Sequence, residues 1–178
     1  MRIALDVGHA RESGARGGGA EEHAVAEAVA GELAPLLRAR GHEVDVIDYP
    51  HLSNRCDLVR TRSAIEAGDY DISVSLHCDA SDREDACGAH VCYVSTAGLE
   101  LARCIARPLC SGMPGRADIV QRRTDLYILK AAGVISVLVE MGFITHAGDR
   151  AVLLCRAGCL AQWIADGIGG YAALRGKR

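Results

Sequence analysis

The length, composition and charge of the chain exclude several classes of protein. It has 178 residues, of which 49% are hydrophobic and 4% aromatic, and its formal net charge is −3. This length suits a single domain at residues 1–178, large enough to bury roughly 70% of its unfolded surface. The small net charge gives no electrostatic reason to expect a nucleic acid or an anionic membrane as partner. No segment approaches the ~20 consecutive apolar residues of a membrane-spanning helix.

Strand-like and helix-like segments alternate along the chain. In chain order we predict strand 2–7, a mobile glycine-rich loop 13–19, helix 21–40, strand 43–48, helix 55–67, strand 71–76, strand 88–94, helix 98–111, a helical turn 126–131, strand 134–139 and helix 157–174. The last strand is a nearly continuous β-branched run, typical of a strand buried on both faces. The alternation predicts an α/β three-layer sandwich, in which helices flank a mixed, mostly parallel twisted sheet of about six strands.

Three of the predicted strands lead into a side chain that can bind a metal ion or carry a proton. These side chains are His9, His77 and Glu140. Because the carboxyl ends of parallel strands form one rim of a sheet, the three residues can meet in one site. A single histidine at a strand end is more often a structural, hydrogen-bonded residue. Two imidazoles and a carboxylate together suggest a zinc hydrolase.

A third metal ligand is expected from the first helix, because that helix follows the first strand and begins at the same rim. It opens with Glu21 and Glu22. The two acids could simply complement the positive end of the helix dipole. Alternatively, one of them could be a carboxylate ligand, and with His9 and His77 it would leave a fourth position open for water or substrate.

Glu140 ends an apolar strand, where burying an unpaired carboxylate is costly. A salt bridge to a nearby arginine would explain it as a structural residue. As a functional residue it would be the general base and acid beside a metal site, because that role needs a partly desolvated carboxylate with a tuned pKa.

Four segments in order resemble the motifs of one enzyme family. They are Asp6-Val-Gly-His9, a glycine-rich stretch before a glutamate at the first helix, Ser75-Leu-His-Cys-Asp-Ala80 and Val137-Leu-Val-Glu-Met-Gly-Phe143. Together they run along nearly the whole chain and are similar to the zinc-dependent N-acetylmuramoyl-L-alanine amidases of the amidase-3 type, which include phage endolysin catalytic domains. The chain departs from the family pattern at Ala10, where glycine is frequent.

The resemblance implies a set of roles for the candidate residues. One Zn²⁺ ion would be held by His9, Glu22 and His77, and Glu140 would be the general base and acid. Counting back from Gly41-His42 to the ligand position of similar amidases favours Glu22 over Glu21.

The implied substrate is peptidoglycan, and the implied reaction is hydrolysis of the amide between N-acetylmuramic acid and L-alanine of the stem peptide. Asp79, Arg123 and Tyr127 are predicted as substrate contacts. Arg123 and Tyr127 lie in a segment that resembles endolysin segments facing the peptide, and Asp79 adds negative charge near the site. A solvated turn is the alternative explanation for Arg123 and Tyr127.

Two other functions fit the same residues. A zinc carboxypeptidase or aminoacylase-like hydrolase would share the rim geometry, and only the order of the motifs argues against it. An inactive wall-binding domain would keep the fold but lose site residues, whereas all four candidates are present.

The first predicted strand begins at Arg2 and leaves no space for a signal peptide. We therefore expect synthesis in the cytoplasm without a visible signal peptide, followed by action on the cell wall after release. The sequence favours a monomer but gives no direct sign of the oligomeric state.

Overall fold

A computed structural model describes residues 1–176 of the chain, without the side chain of residue 54. In chain order its elements are β1 (Arg2–Val7), β2 (Arg16–Gly17), β3 (Ala20–Glu21), α1 (Glu22–Ala39), β4 (Glu43–Ile47), α2 (Asn54–Ala67), β5 (Ile72–Asp79), β6 (His90–Tyr93), α3 (Thr96–Gly112), β7 (Val120–Arg122), a 3₁₀ helix (Ile128–Lys130), β8 (Ile135–Phe143), α4 (Ala147–Cys155) and α5 (Ala157–Arg175).

Within these residues the central sheet has six strands in the order β4-β1-β5-β8-β6-β7, and β2 pairs with β3 in a separate hairpin. Strands β4, β1, β5 and β8 run parallel to one another. Strand β6 is antiparallel to β8 and parallel to β7. The prediction of a mixed, mostly parallel sheet of about six strands is confirmed.

Helices cover both faces of the sheet. Helices α1, α3 and α5 enclose the larger apolar core, which includes Leu5, Leu33 and Ile105. Helix α2 and the 3₁₀ helix enclose a smaller core on the opposite face, which includes Ile65 and Leu138. Burial of these side chains at roughly 25 cal/mol per Å² of apolar surface is the main force that holds the layers together.

The predicted mobile loop at residues 13–19 contains strand β2, whose partner β3 leads directly into α1. Gly17 lies against the backbone that follows β8: a Cβ atom there would be 2.4 Å from the carbonyl oxygen of Ile144. Gly18 and Gly19 make the turn with positive φ angles of 52° and 82°, a conformation that glycine adopts readily. The glycines therefore allow a tight turn and close packing, whereas composition alone suggested mobility.

Strands β5 and β8 are longer than predicted and continue past the polar site residues. His77 and Glu140 are therefore register partners inside paired strands rather than residues that follow strand ends. A register irregularity lies between His77 and Asp79. The predicted ends were wrong because the apolar pattern stops at these polar side chains, whereas backbone pairing does not depend on side-chain polarity.

Strand β7 and helix α4 were not predicted. The first has only three residues at the sheet edge. The second begins after His146, whose ring accepts a hydrogen bond from the Asp149 backbone N–H at 3.2 Å. A histidine at this position is not among the common sequence signals for a helix start.

No single helix in residues 1–176 is long and apolar enough to cross a membrane. Helices α4 and α5 reach that length and composition only when they are counted together, and they meet at an angle of 87°.

Candidate active site

His9 follows β1 in a turn that depends on a glycine. The backbone of His9 has a positive φ of 61°, which is uncommon for a residue other than glycine. The preceding Gly8 lies so close to β5 that a Cβ atom would be 2.4 Å from the Leu76 carbonyl oxygen and 2.5 Å from the His77 ring. This close approach brings the ring centroids of His9 and His77 to 4.9 Å.

Glu22 is the first residue of α1 and is only 2% exposed. Its Oε1 atom lies 2.9 Å from His77 Nδ1 and accepts a hydrogen bond from the Cys78 backbone N–H at 3.0 Å. Its Oε2 atom accepts from the Ala15 backbone N–H at 2.6 Å and lies 3.4 Å from His9 Nε2. The ligand atoms of His9, Glu22 and His77 all lie within 4.8 Å of one another, which is close enough for one metal ion.

Glu21, the alternative candidate, points elsewhere. Its carboxylate accepts a hydrogen bond from the Glu12 backbone N–H and lies 3.7 Å from the Arg16 guanidinium. The structure therefore places Glu22, and not Glu21, beside the two histidines.

A buried hydrogen-bonded chain orients the His77 ring. Ser75 Oγ bonds to Asp6 Oδ2 and lies 3.1 Å from His77 Nε2. Because an ionised Asp6 can only accept, Ser75 donates to it and accepts from His77 Nε2–H. While His77 is protonated, its Nδ1–H donates to Glu22 Oε1. When that proton is lost, Nδ1 has the free lone pair that a metal-binding nitrogen requires.

The charges around His77 favour a cation. Burial alone would lower the pKa of His77, but the hydrogen bond to Glu22 and the charges of Glu140, Glu22 and Asp6 raise it to about 9. Burial raises the pKa of Glu22, but the bond from His77 and the charge of His9 outweigh burial and lower it overall. Positive charge is therefore stabilised between these residues, whether a proton or a metal ion supplies it.

Glu140 lies beside His77 on β8 and has an incompletely satisfied carboxylate. Its Oε2 atom is buried and has no hydrogen-bond partner within residues 1–176. Burial raises the pKa of Glu140 to about 7, against the opposing charge of His77. A carboxyl group with a pKa near neutrality can both accept and donate a proton, which suits a general base and acid.

A cavity of about 270 Å³ opens next to these residues. Its walls include Leu58 and Thr61 of α2, and Leu126 and Tyr127 before the 3₁₀ helix. His9, Glu22, His77 and Glu140 also line it. Apolar walls with a few convergent polar groups are the usual form of a small-molecule site.

The three predicted substrate contacts occupy different places. Tyr127 lines the cavity, and the Arg62 guanidinium stacks 4.4 Å from its ring centroid. Asp79 lies 3.7 Å from the Arg116 guanidinium, and Arg123 forms two hydrogen bonds with Asp125, at 2.9 and 2.6 Å; neither is part of the cavity lining. Substrate contact by these residues stays a prediction.

Sequence reasoning missed the roles of Asp6 and Ser75. The available signal was the strict alternation in Ile72-Ser-Val-Ser-Leu-His77, which puts the two serines and His77 on one face of the strand. A run of polar side chains on one face of a central strand indicates a polar site at that face.

The family model described as N-acetylmuramoyl-L-alanine amidase matches residues 3–169, which is most of the chain. The chain belongs to the N-acetylmuramoyl-L-alanine amidase family. This membership confirms the family that the sequence motifs indicated.

Several individual amidases resemble this amidase-family domain. N-acetylmuramoyl-L-alanine amidase LytC of Bacillus subtilis (strain 168) is 29% identical over 160 residues, which are 85% of this chain but 31% of LytC. The catalytic domain of the CD27L endolysin, which targets Clostridia difficile, has 27% identity and a TM-score of 0.86 over 96% of this chain and 97% of that domain. Ami1 of Mycobacterium smegmatis shares the fold with a TM-score of 0.87 at 22% identity, covering 98% and 97% of the two chains.

Proposed function

We propose that this chain is a zinc-dependent peptidoglycan amidase domain that hydrolyses the bond between N-acetylmuramic acid and L-alanine of the stem peptide. One observation carries the proposal: the ligand atoms of His9, Glu22 and His77 converge within 4.8 Å, beside the unpaired buried Oε2 of Glu140. Two imidazoles and one carboxylate are a common protein ligand set for catalytic zinc.

The donor set fits the metal that the family uses. His9, Glu22 and His77 would hold the ion, and the raised pKa of His77 shows that the surrounding carboxylates stabilise positive charge. When bound, a zinc ion would polarise a carbonyl oxygen and lower the pKa of a water molecule beside it toward about 7. The Asp6–Ser75 hydrogen-bond chain keeps the His77 ring in the orientation that ligation needs.

Glu140 performs the proton transfers of the proposed reaction. Its buried Oε2 accepts a proton from the attacking water, and the carboxyl group then donates that proton to the leaving amine of L-alanine. The pKa of about 7 suits both steps, because the group must be ionised before attack and protonated after it.

The cavity next to Glu140 would hold the atoms on either side of the scissile bond. Leu58, Leu126 and Tyr127 give it apolar walls, which limit the access of water to the reacting groups. Tyr127 is 41% exposed, so its ring can contact a substrate that extends out of the cavity.

Analysis of digestion products tests the proposal. Purified peptidoglycan is incubated with the zinc-loaded protein, and soluble fragments are identified by mass spectrometry. We expect free stem peptides that begin with L-alanine. Fragments cut within the peptide would instead indicate the peptidase alternative, and binding to the wall without cleavage would indicate an inactive wall-binding domain.

Substitution of Glu140 tests its role separately. Glu140→Gln should retain zinc and lower kcat by about 10²–10⁴-fold, because general acid–base catalysis is typically worth that much. Glu32→Gln, at an exposed position of α1, is the matched control and should behave as the wild type. Turnover of Glu140→Gln near the wild-type rate would refute the assignment.

We also propose that the protein is a monomer, is made in the cytoplasm and acts on the wall after release, as an endolysin or an autolysin does. The likeness to an endolysin catalytic domain and to LytC supports a wall hydrolase in general terms. Fractionation of cells before and during lysis, with sedimentation of the purified protein, tests both points.

A further inference from the structure

A second group of potential metal ligands lies next to the catalytic residues. His23 and Glu27 occupy successive turns of α1, four residues apart and therefore on one face of the helix. Asp48 follows β4, at the carboxyl end of the sheet edge. One ligand atom from each of the three residues lies within 4.8 Å of the other two.

The His23 ring is buried and points an unpaired nitrogen into this group. The residue is 1% exposed. Its Nδ1 atom lies 2.6 Å from the His9 carbonyl oxygen, which can only accept, so Nδ1 carries a proton and donates. Its Nε2 atom is buried and has no hydrogen-bond partner within residues 1–176. This nitrogen faces Asp48.

Asp48 does not satisfy His23 directly. The distance from His23 Nε2 to Asp48 Oδ1 is 3.8 Å, beyond the roughly 2.7–3.2 Å of a protein hydrogen bond. The Oδ1 atom is itself buried without a hydrogen-bond partner in the described residues. Two unpaired buried polar atoms that face each other are rare in folded proteins, and a bound ion is one of the accepted explanations.

Glu27 completes the group from the solvent side. Its side chain is half exposed and its Oε1 atom lies 3.4 Å from the Arg11 guanidinium. Exposed ion pairs of this kind contribute little free energy, roughly 0–1 kcal/mol. The carboxylate can therefore turn from Arg11 toward an ion at small cost.

We propose that His23 Nε2, Asp48 and Glu27 bind a second divalent transition-metal ion of the zinc class. One imidazole and two carboxylates are a donor set that such ions accept. The ion would join the first turns of α1 to the segment after β4. Through the His23 bond to its carbonyl oxygen, it would also support the backbone of His9, which has a positive φ. The site is therefore a structural clamp next to the catalytic ligands.

Zinc stoichiometry tests this clamp without any measurement of activity, so its failure is distinct from failure of the proposed function. The metal-free full chain is titrated with Zn²⁺ by calorimetry, and bound zinc is quantified after dialysis. We expect two ions per chain for the wild type. The paired substitution Glu27→Gln with Asp48→Asn should leave one ion, and Glu22→Gln with His77→Gln should also leave one.

Two controls make the result decisive. Glu32→Gln changes the same charge on the same helix and should retain both ions. Cys155 and Cys159 are exposed thiols that can also take up zinc, so the double substitution to serine should also retain both ions.

The single substitution Glu27→Gln separates loss of the ion from misfolding, because it changes a side chain that is half exposed. The affinity for the second ion should fall by at least about ten-fold, because loss of even a residue that only supports a metal ligand usually costs that much. One ion in the wild type, or a second ion that survives the Glu27→Gln and Asp48→Asn pair or is lost with the cysteines, overturns the proposal.

Discussion

Two histidines flank Glu140 in the sheet, one on each side. His77 is its register partner on the parallel strand β5, and His90 is its partner on the antiparallel strand β6. Register partners project to the same face of a sheet. The two residues are therefore of the same type and have nearly equivalent positions relative to Glu140.

Their electrostatic environments are opposite. Carboxylates surround His77, and its pKa rises to about 9 in spite of burial. Burial and the charges of Arg116 and Arg123 together lower the pKa of His90 to about 4, with only Asp118 opposing. The neighbouring charges, rather than the histidines themselves, therefore decide which side of Glu140 can accept a cation.

Removing the carboxylate from the His77 side is expected to have the largest effect. Glu22→Gln deletes one ligand and a charge that stabilises positive charge on His77. We expect loss of the catalytic zinc and a fall in kcat/KM of at least about 10³-fold, since the metal supplies several kcal/mol of stabilisation. Zinc quantification measures the loss of the ion, and turnover on purified peptidoglycan measures the fall in kcat/KM. Glu32→Gln is the control, and a zinc-loaded, active Glu22→Gln protein would contradict the assignment.

Ser75→Ala should lower the zinc affinity of the site around His77 without removing a proposed ligand. The change breaks the chain from Asp6 to His77 that sets the orientation of the ring. We expect zinc affinity at the catalytic site to fall by about 10–100-fold, the usual effect of removing such a support. Competition with a chelator measures the affinity. Ser75→Thr keeps the hydroxyl and should retain most of it, so equal losses in both variants would speak against this role.

The low pKa of His90 should make the stability of the folded protein depend on pH. In the folded protein His90 stays neutral down to about pH 4, whereas in the unfolded chain it takes a proton below its ordinary pKa of 6.5. The unfolded state therefore binds more protons between these values, and stability is lost as the pH falls from 6.5 to 4.

Comparison of the wild type with His90→Gln isolates that contribution. Between pH 7 and pH 5 the wild type should lose about 2 kcal/mol more unfolding free energy than the variant. Denaturant titrations at both pH values measure the difference. The contributions of other titrating groups, such as Asp6, are common to both proteins and cancel in the comparison. Parallel pH profiles for the two proteins would show that His90 is not held neutral.

The smallest effect is expected for substitution of the predicted substrate contacts Tyr127 and Arg123. Tyr127 lines the cavity on the His77 side, whereas Arg123 is paired with Asp125 and influences His90. Tyr127→Ala should raise KM by about 2–10-fold, equivalent to one aromatic contact. Arg123→Gln should raise it less. A larger effect of Arg123→Gln would place the substrate on the His90 side of Glu140.

Much of the candidate site could be predicted because it depends on short-range pattern in the sequence. In the sequence, His9, His77 and Glu140 each come at the end of an apolar run typical of a strand, and parallel strands bring their carboxyl ends to one rim. The alternation along β5 was also visible in the sequence. The exact strand limits were not, because pairing continues through the polar residues at which the apolar pattern stops.

The roles of similar residues could not be separated in this way. Glu21 and Glu22 are adjacent acids at one helix start, and only the hairpin before α1 turns one toward the histidines and the other toward Glu12 and Arg16. The sequence around His23 contains no ligand motif, yet the structure buries its ring against the His9 carbonyl oxygen.

The order of residues along the chain is enough to predict the alternating α/β fold, the family and the residues that approach the rim. Folding is needed to bring carboxylates around His77 and arginines near His90. The reason is physical: apolar periodicity is local and repeats along the chain, whereas electrostatic interactions depend on distances between residues that are far apart in sequence. Those distances exist only once the sheet has formed.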